Sequence, residues 1–174
     1  MVIIIAGGTH TGKTIFAQEL LEKYHYPYLS VDHLKMGFIR SNCCTLTPES
    51  DEAALTRYLW PVVREIIKTA IENRQNLIVE GCYIPFDFQT DFSPDYLKEI
   101  RYLCIVFSER YIQNNYDNIS KYACRIENRI KDNGISKEML IEENHANFER
   151  CKEYGLEYAL VDDYYKLTWE PQLG

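Results

Sequence analysis

Gly7-Gly8-Thr9-His10-Thr11-Gly12-Lys13-Thr14 places four residues between two glycines and follows the second with lysine and threonine. This is the full G-x-x-x-x-G-K-[ST] spacing. Gly7 and Gly12 let the backbone turn with positive φ, so successive N–H groups point inward and form an anion nest. A helix starting at the end of the stretch adds the positive end of its dipole. Lys13 then reaches the outer phosphates of a nucleoside triphosphate such as ATP, and Thr14 offers a hydroxyl to Mg²⁺. All of Gly7, Gly8, Thr9, His10, Thr11, Gly12, Lys13 and Thr14 are taken as nucleotide-binding, with His10 filling a variable position. The rival, a chance glycine-rich turn with an exposed lysine, would need no particular flanks. Here an apolar β-branched run, "MVIIIAG", precedes the loop, and a helix-like "KTIFAQELLEKY" follows it.

Moving a phosphoryl group from such a loop needs a carboxylate near the acceptor, oxygen ligands around the metal, and positive charge on the transferring group. Asp32, in "SVDHLKMGFIR", is the first candidate: a catalytic or Mg²⁺-ordering carboxylate, or an N-cap for a helical turn starting at His33. Lys35 and Arg40 follow it and could reach an anionic acceptor. Glu80 ends "NLIVEG", where an acid after an apolar run is costly unless solvated, paired or metal-linked. It could order Mg²⁺ or hold the acceptor, or pair with an arginine. Arg125 and Arg129, four apart on one helical face, suit a lid closing over phosphates with a hinge at Asn133-Gly134. Pairing with Glu127 on the surface is their alternative.

Other chemistries lack their residues. A guanine-reading N/T-K-x-D segment is absent, and neither "LIVEG" nor "LVDD" makes a good acidic strand end for a motor-type ATPase. The net charge of −7 argues against a sequence-independent grip on nucleic acid. The six cysteines include no C-x-x-C pair, which argues against structural zinc and for reduced thiols in a cytoplasmic protein. No signal peptide or membrane span is expected at the start of the chain. At 174 residues one domain is expected, spanning 1–174, with a small lid around 109–137.

Elements that would position these groups alternate along the chain. Strands are expected at "MVIIIAG", at "YPYLSVD" ending on Asp32, at "NLIVEG", at 101–107 and at "LEYALVDD". Residues 33–50 read as a helical turn or two plus loop. A long helix follows over "TPESDEAALTRYLWPVVREIIKTAIENRQ", kinked or split at Pro61. A short helix falls within "YLKEI", longer ones over 109–131 and 136–154, and a final turn or helix in the tail. Strand–helix alternation predicts an α/β, three-layer fold with a parallel sheet of about five strands and helices on both faces. In such sheets ligands gather at the carboxyl ends of the strands, which makes neighbours of Thr9–Thr14, Asp32 and Glu80.

The assembled pattern resembles the nucleoside-monophosphate-kinase-like branch of the P-loop kinases. That branch includes adenylate, shikimate and gluconate kinases, zeta-toxin-type kinases and 2-phosphoglycerate kinase. "NLIVEGCYIP", with Glu80, Gly81 and Pro85, is similar to the strand-three segment of 2-phosphoglycerate-kinase-like proteins. "VDHLKMGFIRS", with Asp32 and Arg40, is similar to the segment after strand two in those proteins and in zeta-toxin-type kinases. The resemblance implies an ATP- and Mg²⁺-dependent kinase acting on a small, anionic metabolite or nucleotide. Asp32 would be the base or acceptor-binding carboxylate, and Arg125 or Arg129 the lid arginine. A toxin-like nucleotide-sugar kinase shares this machinery, and a nucleotide-binding regulatory module without an acceptor is the reading from another class. Adenylate kinase would carry a longer lid insert and a fuller set of AMP-binding arginines, of which only Arg40 finds a counterpart.

Overall fold

The computed structural model describes residues 1–122 and 135–172. Five strands, β1 (Val2–Gly7), β2 (Tyr28–Ser30), β3 (Leu77–Glu80), β4 (Ile100–Phe107) and β5 (Tyr158–Val161), form one sheet in the order β2-β3-β1-β4-β5. Every pairing is parallel, as expected. The helices α1 (Lys13–Tyr24), α2 (Val31–Arg40), α3 (Glu52–Glu72), α4 (Pro94–Leu97), α5 (Glu109–Tyr122) and α6 (Lys137–Glu153) carry the chain between strands.

Strand β1 is central, and all six of its residues are buried. Ile3 and Ile5 face Phe16, Ala17 and Leu20 of α1 and Ile112 of α5. Val2 and Ile4 face the other way, toward Leu55, Leu59, Val63 and Ile67 of α3. Each of these aliphatic side chains contributes about 1.5–3 kcal/mol on burial, which is why a β-branched run without polar alternation is stable here.

The register aligns the site. Ile5 lies opposite Glu80, and Glu80 lies opposite Ser30. The chain therefore leaves β1, β2 and β3 at one edge of the sheet, with the phosphate loop, α2 and the segment after Glu80 gathered there.

Several expectations are corrected. The second strand stops at Ser30, not Asp32, because its partner β3 ends at Glu80 opposite Ser30 and offers no further ladder. Asp32 accordingly stands in the first turn of α2. It is not the N-cap either: Ser30 occupies that position. In place of a turn or two after His33, α2 runs ten residues, with Leu34 and Phe38 packed on the core and Gly37 on the solvent side. Of the kink or split expected at Pro61, the split does not occur: α3 runs unbroken through it, and Pro61 sits on the exposed face. Arg57, whose carbonyl is the one deprived of its bond, is exposed as well, on the side of the helix that water reaches. As far as residue 172, the tail after β5 forms neither turn nor helix. It is an extended strap whose alternate residues Tyr165, Leu167 and Trp169 pack inward while Lys166, Thr168 and Glu170 face water. Trp169 meets Phe16 of α1 edge-on, with ring centroids 6.3 Å apart.

The helix expected over 109–131 is described as far as Tyr122, and that expected over 136–154 is α6, begun by Ser136 accepting from the Met139 amide at 3.2 Å. Arg125, Arg129, Glu127 and the Asn133-Gly134 hinge lie outside the described residues. Among the described residues no helix is long and apolar enough to cross a membrane.

Candidate active site

The phosphate loop takes the conformation that its glycines permit. Gly7 and Gly12 have φ of 142° and 82°, and a Cβ on Gly7 would lie 2.5 Å from the Ile105 carbonyl oxygen of β4. His10, with φ of 65°, also enters the left-handed region, which costs a side-chain-bearing residue about 1–2 kcal/mol. Thr11 is fully buried and donates its hydroxyl to the Gly8 carbonyl at 2.8 Å, stapling the loop across its own turn. Helix α1 begins at Lys13, so its positive end points into the loop.

Lys13 is buried, and its Nζ donates to the Gly8 carbonyl at 2.6 Å. Burial pulls its pKa down, yet Cys82, Glu80 and Asp32 outweigh that and hold it above the ordinary lysine value. The ammonium is therefore charged at neutral pH, and groups from β3, α2 and the segment after β3 all face it. This is the convergence expected of Lys13, Asp32 and Glu80. The Thr14 hydroxyl donates to Glu80 Oε2 at 3.4 Å, and Glu80 is almost wholly buried.

Asp32 accepts from Lys35 Nζ at 2.6 Å, and the same ammonium reaches the Tyr83 hydroxyl at 2.8 Å. Burial lowers the Lys35 pKa, but Asp32 and these two hydrogen bonds raise it more. Burial lifts the Tyr83 hydroxyl as well, so it stays neutral while its oxygen accepts from Lys35. Lys35 is thus a brace for Asp32. Arg40 stands eight residues further along α2, about 12 Å down the axis, and is exposed. The structure does not bring it to Lys13.

Several groups at the site carry no sequence flag. Cys82 lies beside Lys13, and burial keeps it a neutral thiol by raising its pKa. Glu143 of α6 accepts a hydrogen bond from the Thr9 amide at 2.9 Å. Glu52, at the start of α3, has its pKa raised by partial burial and then by Glu143. Tyr165 of the strap donates to the Gly12 carbonyl at 3.3 Å, its phenol pushed up by burial.

Helix α6 is fixed over the loop by a buried asparagine. Asn144 accepts from the Phe107 amide at the end of β4 at 2.8 Å, and donates to the Leu140 carbonyl at 2.8 Å. That lock sets the helix rotation that turns Glu143 onto Thr9.

Solved structures share this arrangement of elements. A shikimate kinase from Bacteroides thetaiotaomicron superposes with a TM-score of 0.52 at 14% identity, over 93% of this chain and 85% of that one. A deoxyadenosine kinase from M. mycoides gives a TM-score of 0.53 at 15% identity, over 93% and 90%. A sugar kinase from Janibacter sp. HTCC2649 gives 0.50 at 15% identity, over 92% and 84%. The chain has the fold of these kinases. No family model matches the sequence, and none of the curated proteins matches it.

Proposed function

We propose that this chain is a small-molecule kinase that transfers the γ-phosphate of ATP, with Mg²⁺, to an acceptor bound beside Asp32. The observation that carries the reading is the buried, charged Lys13 facing carboxylates from two other elements, Asp32 and Glu80, at the carboxyl edge of the sheet. The kinase fold shared with solved structures agrees with it. A nest of amides and an ammonium serve to bind phosphates; carboxylates beside them serve a metal and an acceptor.

Each residue then has a defined task. The loop amides and Lys13 hold the β- and γ-phosphates and offset the negative charge that shifts toward the leaving oxygen. Thr14 and Glu80 supply hard oxygen donors and fit Mg²⁺, which favours oxygen and retains several waters instead of requiring an all-protein cage. When bound, the metal would neutralise phosphate charge. Asp32, held by Lys35, which is itself anchored on Tyr83, accepts the acceptor hydroxyl's proton as that oxygen bonds to the γ-phosphorus and the bond to the β-phosphate breaks, releasing ADP. Lys35 is engaged in that brace, so the acceptor is recognised through its hydroxyl more than through a countercharge from Lys35. Arg125 and Arg129 remain proposed lid residues.

Phosphate transfer from γ-labelled ATP to a panel of glycerate phosphates, sugars and nucleoside monophosphates tests the reading. Asp32→Asn should cut turnover about 10²-fold or more while leaving ATP affinity within a few-fold. ATP binding with hydrolysis but no transfer to any acceptor would overturn the kinase assignment in favour of a regulatory module.

A further inference from the structure

A carboxylate already lies on the phosphate loop. Glu143 reaches across from α6, 134 positions along the chain, and its Oε1 accepts from the Thr9 amide at 2.9 Å. Its other oxygen, Oε2, is shielded from water and has no hydrogen-bond partner. The contact is shaped to the loop. A Cβ on Gly8 would stand 2.9 Å from the Glu143 carboxyl carbon and 3.1 Å from each of its oxygens. Gly8 is a variable position in the G-x-x-x-x-G-K-[ST] spacing, and its φ does not lie in the region that requires glycine. The missing side chain there makes room for Glu143.

The location within the loop matters. Lys13, the residue that serves the β- and γ-phosphates, has its ammonium on the Gly8 carbonyl at 2.6 Å. That carbonyl and the Thr9 amide belong to the same peptide group, so Glu143 lies at the outer end of the phosphate track. The inner end is formed by the Gly12–Thr14 amides at the start of α1. A carboxylate and a phosphoryl group are both anions seeking the same amide donors.

We infer that Glu143 is an internal occupant of the γ-phosphate seat, displaced when a nucleoside triphosphate binds, so that it sets how strongly the protein distinguishes triphosphate from diphosphate. This rests on the nucleotide-binding reading above. In the nucleotide-free protein the Thr9 amide is satisfied by Glu143, which avoids leaving a donor aimed at an empty anion site. A triphosphate must break that charge-assisted bond, whereas a diphosphate stops short of it. Asn144, locked between Phe107 and Leu140, holds the occupant in place.

The test compares binding of a non-hydrolysable ATP analogue with that of ADP, each with Mg²⁺, by calorimetry on the whole chain. Glu143→Gln keeps the side chain's shape and removes its charge. Gly8→Ala leaves Glu143 intact and forces its flexible carboxyl off the loop. In both variants the ratio of triphosphate to diphosphate affinity should rise on the order of tenfold. Two variants acting by different routes guard against a folding defect in either. If nucleotides bind and the triphosphate-to-diphosphate ratio stays at the wild-type value in both variants, or falls, the assignment of Glu143 is wrong. If wild type and both variants bind neither nucleotide, the nucleotide reading itself fails and takes this one with it.

Discussion

Replacing Asn144 by leucine is the perturbation with the best-defined energetic consequence outside the loop. The side chain is 1% exposed and has two partners, the Phe107 amide and the Leu140 carbonyl, each at 2.8 Å. Leucine has nearly the same volume, so packing is largely preserved and the polar loss is isolated. The Leu140 carbonyl keeps its intrahelical partner, the amide of residue 144. The Phe107 amide loses its acceptor in a dry environment, which costs about 1–3 kcal/mol. The structure therefore gives a destabilisation of about 2 kcal/mol. For a chain of this length that lowers Tm by about 4–8 °C. Urea unfolding should show a lower midpoint with an unchanged slope. His145→Ala, one residue on but exposed, should stay within about 0.5 kcal/mol of wild type. A loss below about 0.5 kcal/mol for Asn144→Leu would refute the claim that this asparagine locks α6 to β4. The account of how Glu143 comes to rest on Thr9 would then need another support.

Two further outcomes follow from the site. Lys35 has a folded-state pKa raised above 10.5, so its pairing contributes stability that is fully present below the unfolded pKa and is lost as pH rises through the folded one. Wild type should exceed Lys35→Met in stability at pH 7, and urea titrations should show that margin shrinking above about pH 10.5. A margin that grew with pH would contradict the pairing. His10 has φ of 65°, so with the imidazole removed in both, His10→Gly should be more stable than His10→Ala by about 1 kcal/mol, because only glycine takes that conformation without strain. Equal Tm values for the two variants would contradict a strained backbone there.

What could be read in advance follows from how local each physical demand is. The phosphate loop is legible because its geometry prescribes residue types: positive φ for Gly7 and Gly12, an ammonium and a hydroxyl on the first helical turn. Glu80 is legible because an acid closing an apolar strand is expensive anywhere else. Topology puts Asp32 at the right edge of the sheet, yet it stands on α2 and not on β2, since strand length depends on how far the partner runs, and β3 gives out at Glu80. Whether Pro61 would split α3 was not legible, because a proline's cost depends on whether the orphaned carbonyl faces water, which is set by how the helix lies on the sheet. The strap was readable in principle: Tyr165, Leu167 and Trp169 alternate with polar residues at period two, the pattern of an extended segment, not of a helix.

Glu143 is of another kind. Nothing in "IEENHANFER" distinguishes it from Glu142, which faces solvent, because the contact is made with a peptide group at the opposite end of the chain. Its trace lies in two neighbours. Asn144 shares a buried helical face with Leu140 and Cys151, and an amide on an apolar stripe implies a specific partner. Gly8 is a glycine that the loop's own conformation does not ask for. A residue whose identity is unexplained by its local backbone is evidence of something pressed against it, and here the two unexplained residues sit at the two ends of one contact. That pairing makes substitution at Gly8 the sharper probe, since it moves the carboxylate without altering its charge.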